Sequence, residues 1–449
     1  MSTTSQGGSA GISVGYAAIQ PNAAGAVPSG MAIFGFRESN VLVSEAAVPA
    51  SPLISSGRSY AEVSSTVNTG VAMANPNAQP VTVNFHFTNT TGADFGQGST
   101  VIPAGGQIAK FLNQAPFNGG NALMGTFTFT ASQPISVIAL LGLTNERFEF
   151  LITTLPVADL SITPGSSAFV FPHYADGGGW TTQLLLVNTT DTPMSGTILF
   201  CSQGGCPAAV QPIASNAYTL PPRSSLQLHT AGAASTVTTG SIRVTPTSGS
   251  KAPAGVAVFS FKSGGMTVST AGVPASRTSN AFRLYAEFSG TPGHIGSIQT
   301  GVAVANHGTA TTSVVFELTT LTGASTGLTG SLSIPAGGQT AVFLSQIPGF
   351  NTLTTPFRGV LRVSTSSSEG ISVIGIRGRY NERADFLITT TQPTDESRPP
   401  VGPQFFPHFA DGGGYTTQFI LFNGGADHAS SGSLPFFSQS GQPISLIVR

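Results

Sequence analysis

A chain of 449 residues with a formal net charge of −1 and 8% charged residues carries neither a basic field for nucleic acid nor an acidic tract. Its 55 glycines, 31 prolines and 40% hydrophobic residues, the latter dispersed in short segments, suit a secreted all-β protein with several cores. The longest apolar run, residues 135–143, is strand-sized and far short of the roughly 20 residues that cross a bilayer, so no membrane span is expected.

Residues 1–14 are rich in Gly, Ser and Thr and lack the charged start and apolar stretch of a secretory signal. Three strand-like pieces follow in residues 15–51. Residues 28–51 align without gaps with residues 253–276, an offset of 253 − 28 = 225, so the chain begins with the back half of a repeated unit. A complete unit, type A, opens with Tyr60-Ala61-Glu62. It continues through VTVNFHF at 81–87, whose alternation buries Val81, Val83, Phe85 and Phe87, and through IPAGGQ at 102–107, ISVIALL at 135–141 and NERFEFLITT at 145–154. GVAMAN at 70–75 returns as GVAVAN at 301–306, and the IPAGGQ, ISVIALL and NERFEFLITT elements return at 334–339, 371–377 and 381–390.

A second type, B, is headed by FPHYADGGGWTTQLLLVN at 171–188, which returns as FPHFADGGGYTTQFILFN at 406–423. The differences between these copies exchange only aromatic or aliphatic residues, so a packing pattern is what they keep. Both types open with an aromatic, Ala and an acid. Both place an Asn after the next strand, at Asn75, Asn188, Asn306 and Asn423, with separations 188 − 75 = 113, 306 − 188 = 118 and 423 − 306 = 117.

The expected division is 1–55 (back half of B), 56–158 (A), 159–277 (B), 278–395 (A) and 396–449 (front half of B). About seven short strands per unit of slightly more than 110 residues, bounded by Gly, Pro, Asn and Ser, match tandem immunoglobulin-like or fibronectin-III-like β-sandwiches. Neither terminal half closes a sandwich alone. The stretch 220–230 shows no counterpart at either end, so fraying is the favoured expectation, against docking within one chain or between chains.

FPHxADGGGWTTQ with its Leu/Val-rich strand and Asn, the IPAGGQ turn and NERxDFLITT resemble the tandem modules of large secreted proteins of acidobacterial-type soil bacteria. The resemblance covers residues 15–449 and implies an extracellular β-sandwich array without established catalytic residues.

His173, Asp176 and Trp180, echoed by His408, Asp411 and Tyr415, set an imidazole, a carboxylate and an aromatic beside a triple-glycine loop. A strand-starting turn is the favoured reading; a sugar platform or metal loop is the alternative. Calcium wants six to eight oxygen ligands and zinc three or four N/S/O ligands, and no second carboxylate or HxH lies nearby in sequence. The NER turns at 145–147 and 381–383 read as solvated surface hairpins, and IPAGGQ reads as a turn. Arg358, Arg362, Arg377, Arg379 and Arg383 read as a solvated face paired with Glu369, Glu382 and Asp385. In residues 135–143 an outer strand face reads as a contact surface, with a fully internal strand as the alternative. Cys201 and Cys206 are both replaced in the twin stretch, by Phe437 and Gln442, which suits a disulfide and an oxidising compartment.

No catalytic, cofactor or metal site is expected. The functional expectation is a non-enzymatic structural spacer or adhesive stalk, extracellular or at the cell surface. The alternative is a carbohydrate-binding array using Trp180 and Tyr415. Surface glycans or neighbouring copies of the array are the expected partners.

Overall fold

The computed structural model describes all residues except 9–10, 23–25, 209–210, 214–215, 426–428 and 448–449. The described residues form antiparallel sheets, with one 3-10 turn among them at Leu344–Gln346. Its strands group into four two-layered sandwiches of the same plan. In the second sandwich the strands are Phe169–Asp176, Trp180–Val187, Met194–Ser202, Ala217–Leu220, Ser225–His229, Thr238–Pro246, Ala254–Ser263 and Met266–Pro274. One layer runs first-sixth-third-fourth and the other fifth-second-seventh-eighth. An immunoglobulin-type sandwich sets its first strand beside its second. Here the first strand pairs with the sixth, as Phe171 does with Ile242.

The first sandwich, Ile54–Val63 to Phe150–Leu155, fuses its sixth and seventh strands into Leu123–Thr144, which crosses between layers at a register shift between Thr130 and Ile135. The third runs from Ala281–Ser289 to Phe386–Thr391. Alternation sets the inward rows: Val81, Val83, Phe85 and Phe87 are buried, while Thr82 and Asn84 are exposed.

The fourth sandwich is shared by the two ends of the chain, and here fraying is overturned. Its first four strands are Gln404–Asp411, Tyr415–Phe422, Phe436–Ser438 and Pro443–Ile444; its last four are Ser2–Thr4, Ser13–Pro21, Ser29–Glu38 and Val41–Pro49. Residues 2–4 take the place of 227–229, within the stretch for which no counterpart is expected from the sequence. Thr4 pairs with Gln418 as His229 pairs with Gln183, and Gly7 donates to Asp411 as Gly232 does to Asp176. The offset, 232 − 7 = 225, is the one that relates the longer segments. The polar three-residue strand Ser2–Thr4 lacks the alternation of Ser225–His229, so this match does not stand out in the sequence.

The sandwiches close into a ring. Each lays the outer face of its second and seventh strands on the preceding one: Leu185, Val187, Val256 and Val258 on the first sandwich, Ala303, Ile374 and Ile376 on the second. Met31, Ile33, Ile420 and Phe422 of the shared sandwich meet Tyr285 and Val360 of the third, and Ala72 and Ile138 of the first complete the circle against the shared one. Residues 135–143 thus offer no free contact face. Val137, Ala139 and Leu141 enter their own core while Ile138 and Leu140 pack on the shared sandwich, so both faces are covered within the chain.

The four eighth strands converge on the ring axis. Their outer edges are satisfied by hydroxyl side chains: Ser44 accepts from Ile152 N (2.9 Å), Thr389 from Ala47 N (3.1 Å) and Ser269 from Ile388 N (2.7 Å), while Thr154 donates to Ala47 O (2.8 Å). Edge groups that water would otherwise solvate are paired here by Ser and Thr.

Candidate functional site

In the repeated aromatic hairpin the first and second strands are joined by Gly177, Gly178 and Gly179, at φ of 81°, 59° and 90°. Gly412, Gly413 and Gly414 repeat the turn. A Cβ on Gly179 would lie 2.5 Å from Lys262 O, and one on Gly414 would lie 2.3 Å from Arg37 O. Left-handed backbone and close approach together require glycine, independently of any ligand.

The polar side chains of this hairpin act inside the protein. Asp176 accepts from Gly232 N at 2.9 Å and Asp411 from Gly7 N at 2.8 Å, tethering the segment after each fifth strand. His173 is buried, with Nδ1 3.2 Å from Nε2 of Gln339; His408 Nδ1 is 3.1 Å from Nε2 of Gln107. Burial pushes both imidazoles down to about 4, so at neutral pH each is uncharged. Trp180 stacks on Phe261 with centroids 4.6 Å apart and Tyr415 on Phe36 at 4.5 Å, and both rings are half-buried. Among the described residues no group of three or more His, Cys, Asp or Glu is disposed to hold a metal ion.

Each histidine's partner is the Gln of an IPAGGQ turn on a neighbouring sandwich. Gln339 N donates to Gln203 O within the 201–206 loop, which a Cys201–Cys206 disulfide closes, and Gln107 N donates to Gln439 O of the twin loop. IPAGGQ is therefore a docking turn as well as a strand start. The buried asparagines Asn75, Asn188 and Asn306 were a further signal that spacing displayed without revealing its use. Asn188 Nδ2, for example, donates to Thr192 O, Leu220 O and Pro221 O, clamping two turns together.

The NER turns keep Glu146, Arg147, Glu382 and Arg383 exposed, as expected, while their asparagines are buried where the eighth strands begin. Asn145 Nδ2 donates to Thr267 O (2.9 Å) and Glu146 accepts from Thr267 N (2.7 Å); Asn381 and Glu382 treat Leu42 in the same way. Arg147 pairs with Asp385 at 2.8 Å and Arg383 with Glu149 at 2.5 Å, linking the first and third sandwiches across the axis.

The solvated reading of the arginine-rich face holds for Arg358, more than half exposed, and in part for Arg362, paired with Glu317 and Glu396, and for Arg383, but is corrected at Arg377. Arg377, 4% exposed, is paired with Glu287 (2.5 Å) and Glu45 (3.4 Å), Arg379 with Glu45 (2.9 Å) and Arg358 with Glu287 (3.1 Å). Burial opposes the charge on Arg377, yet Glu287 and Glu45 raise its pKa above the ordinary value. Burial likewise opposes ionisation of Glu287, but Arg377 and Arg358 hold it below the usual carboxylate range. Of the expected acids, Asp385 does meet Arg383, at 3.1 Å, whereas Glu382 meets Arg37 and Glu369 accepts from Thr309 N.

Where the eighth strands end, the junctions between sandwiches enclose a basin of about 810 Å³. Pro49, Pro52, Pro156, Pro274 and Pro399 wall it, and Arg398 and Asp395 are among its charged lining. The Asp395 carboxylate accepts from Ser279 Oγ and Ser397 N. The walls suit an apolar occupant more than a charged one.

No family model matches the chain, and no curated protein matches it. Among solved structures, an infectious bursal disease virus T13 particle is similar at 10% identity over 83% of this chain and 78% of its own, with a TM-score of 0.14. An anti-sigma factor domain-containing protein is similar at 8% identity over 52% and 91%, with a TM-score of 0.13. The α-L-rhamnosidase of Streptomyces avermitilis, complexed with L-rhamnose, is similar at 9% over 82% and 46%, with a TM-score of 0.14. Likeness at this level assigns neither a fold family nor a function.

Proposed function

We propose that the protein is a non-enzymatic extracellular component that serves as a structural spacer or adhesive block at the cell surface. Its units are 56–158, 159–277 and 278–395, with a fourth from 1–55 and 396–449, working as one closed body in place of an extended stalk. Second-fifth and third-sixth strand pairings relate each unit to the immunoglobulin type, whose B–E and C–F pairs they match. The observation that carries the reading is the internal employment of the repeated polar residues. His173, His408, Asp176 and Asp411 each bind another part of the same chain. The Cys201–Cys206 bond supports an oxidising location.

Beads carrying the full chain should adhere to cell envelopes or to one another without saturable binding on a glycan array. Saturable glycan binding that Trp180→Ala removes would replace this reading with that of a carbohydrate-binding array.

A further inference from the structure

The two ends of the ring axis are unlike. The four eighth strands run the same way: Ser44 meets Ile152 and Ala47 meets Thr154 further along, while Ser269 meets Ile388 and Gly272 meets Thr390. Thr389 against Ala47 ties the two pairs together. All four strands therefore start at one pole, where the NER turns sit, and end at the other, where the proline-walled basin lies. Phe148 stands at the starting pole between Arg147 and Glu149, which both pair across the axis. It is 87% exposed, and its φ is 62°. Asn40, Gly265 and Ala384 hold the same left-handed backbone in the other three turns, none with a large apolar side chain. Phe148 thus joins backbone strain to an aromatic ring in water, and outliers of this kind gather at binding sites. At the ending pole Val401, 82% exposed, lines the basin with Pro49, Pro156, Pro274 and Pro399. Among the described residues Phe148 and Val401 are the two most exposed large apolar side chains, and they lie at opposite poles. Each pole also bears an exposed charge with no ion-pair partner among the described residues: Glu38 in the turn before Val41, and Arg398 on the basin.

We propose that copies of this chain stack pole to pole, with Phe148 of one ring seated in the proline-walled basin of the next. A basin of about 810 Å³ admits a drug-sized molecule, so one aromatic side chain and the tip of its turn enter it without crowding. Proline rings offer apolar faces on which an aromatic ring stacks. Seating takes Phe148 and Val401 out of water together. The unpaired charges have opposite signs on the two poles, so Glu38 of one copy and Arg398 of the next attract each other and steer the approach. Because Phe148 and the basin occupy opposite ends of one axis, the contact is head-to-tail and does not close on itself, and it repeats into an open stack. The partner is a second copy of this chain. Stacking adds a mode of assembly to the functional reading above and does not rest on it.

The test is sedimentation velocity of the full chain over a concentration series, in which the average mass should climb past that of two chains. Phe148→Ala installs the residue that the matching turn already carries as Ala384, and it should weaken association about 10- to 100-fold. Val401→Arg should do the same from the basin side. Both side chains are exposed, so neither change disturbs a core. At the concentration where the wild type is half associated, each variant alone should stay a single chain. Mixed there, each supplies the pole that the other has lost, and they should form two-chain species and nothing longer. Glu38→Arg should also weaken the stack, and Arg398→Glu added to the same chain should restore it. A wild type that remains a single chain at every concentration, association unaffected by Phe148→Ala, failure of the two variants to pair, or no restoration by the second charge reversal would each overturn the proposal.

Discussion

Where the second sandwich meets the first, Leu141 of the first sandwich's core lies in one continuous apolar cluster with Val256 and Val258; where the shared sandwich meets the third, the position that matches Leu141 is Arg377, and Leu143 is matched by Arg379. Glu62 and Glu287 also match, as do Thr270 and Glu45. At the first seam Glu62 is buried and accepts from Tyr60 OH at 2.8 Å, and burial pushes its pKa up. At the other seam Glu287 is held ionised by two arginines. One backbone plan thus accepts an apolar seam or an ionic one. The ionic version adds discrimination: docking the N-terminal half on the first sandwich would bury Glu45 opposite Leu141, an unpaired charge that rejects the wrong site.

Breaking the ionic seam should give the largest effect. Arg377→Leu leaves Glu45 and Glu287 facing each other with reduced compensation, at a cost of about 3–5 kcal/mol. The denaturant midpoint of the full chain checks this. Converting the seam fully, with Arg377→Leu, Arg379→Leu and Glu45→Thr together, should recover most of the loss. No recovery would mean that the two seams are not interchangeable.

The other two seams are alike, each built on a His–Gln contact, and acid should loosen both. The folded pKa of His173 and His408, about 4, lies below the ordinary 6.5, so below pH 6.5 the unfolded chain takes up protons that the folded one refuses. Stability from these residues is present above pH 6.5 and lost as pH falls to 4, to a total of about 3 kcal/mol each. Denaturant midpoints measured across that range should flatten in His173→Gln and His408→Gln. An unchanged slope would show that the imidazoles protonate without opening the seams.

These contrasts mark how far the sequence could be read. Alternation in 81–87 and the apolar run at 135–141 announced strands and their burial, because those signals are local. Arg377 looked solvated because its partner Glu45 lies 332 residues away, on a segment whose place in the ring depends on the whole chain closing. The hairpin residues were legible as a repeat, and turn chemistry gave Gly177–Gly179 their role. What His173 touches was not legible: its partner Gln339 belongs to another sandwich, and a lone IPAGGQ shows only a turn. The match of residues 2–7 to 227–232 is not legible in the sequence because identity there is confined to one residue, Gly7 with Gly232, while the backbone pairings are the same.

The NER turns offer a finer comparison, since Asn145 and Asn381 serve one apolar and one ionic seam with the same bonds. Each buried side-chain amide donates to a strand carbonyl, and each side-chain oxygen accepts two backbone N–H groups of its own turn. Asn145→Ala and Asn381→Ala should each cost about 1–3 kcal/mol by leaving these groups unpaired. Equal losses would show that the turn acts independently of the seam beneath it; a much larger loss at Asn381 would show that the ionic seam depends on it.

The smallest effects should come from the exposed pairs beside those turns, Lys262 with Glu146 at 2.9 Å and Arg37 with Glu382 at 2.7 Å. All four side chains are at least a third exposed, so solvent screens them, and each pair contributes at most about 1 kcal/mol. Both acids also accept a backbone N–H, from Thr267 and Leu42, and those bonds survive when the cation is removed. Lys262→Ala and Arg37→Ala should therefore shift the denaturant midpoint only slightly, with the shift shrinking further at high salt. Losses matching those of the asparagine variants would place the hold on the eighth strands in the ion pairs; losses near zero place it in the amides and backbone bonds.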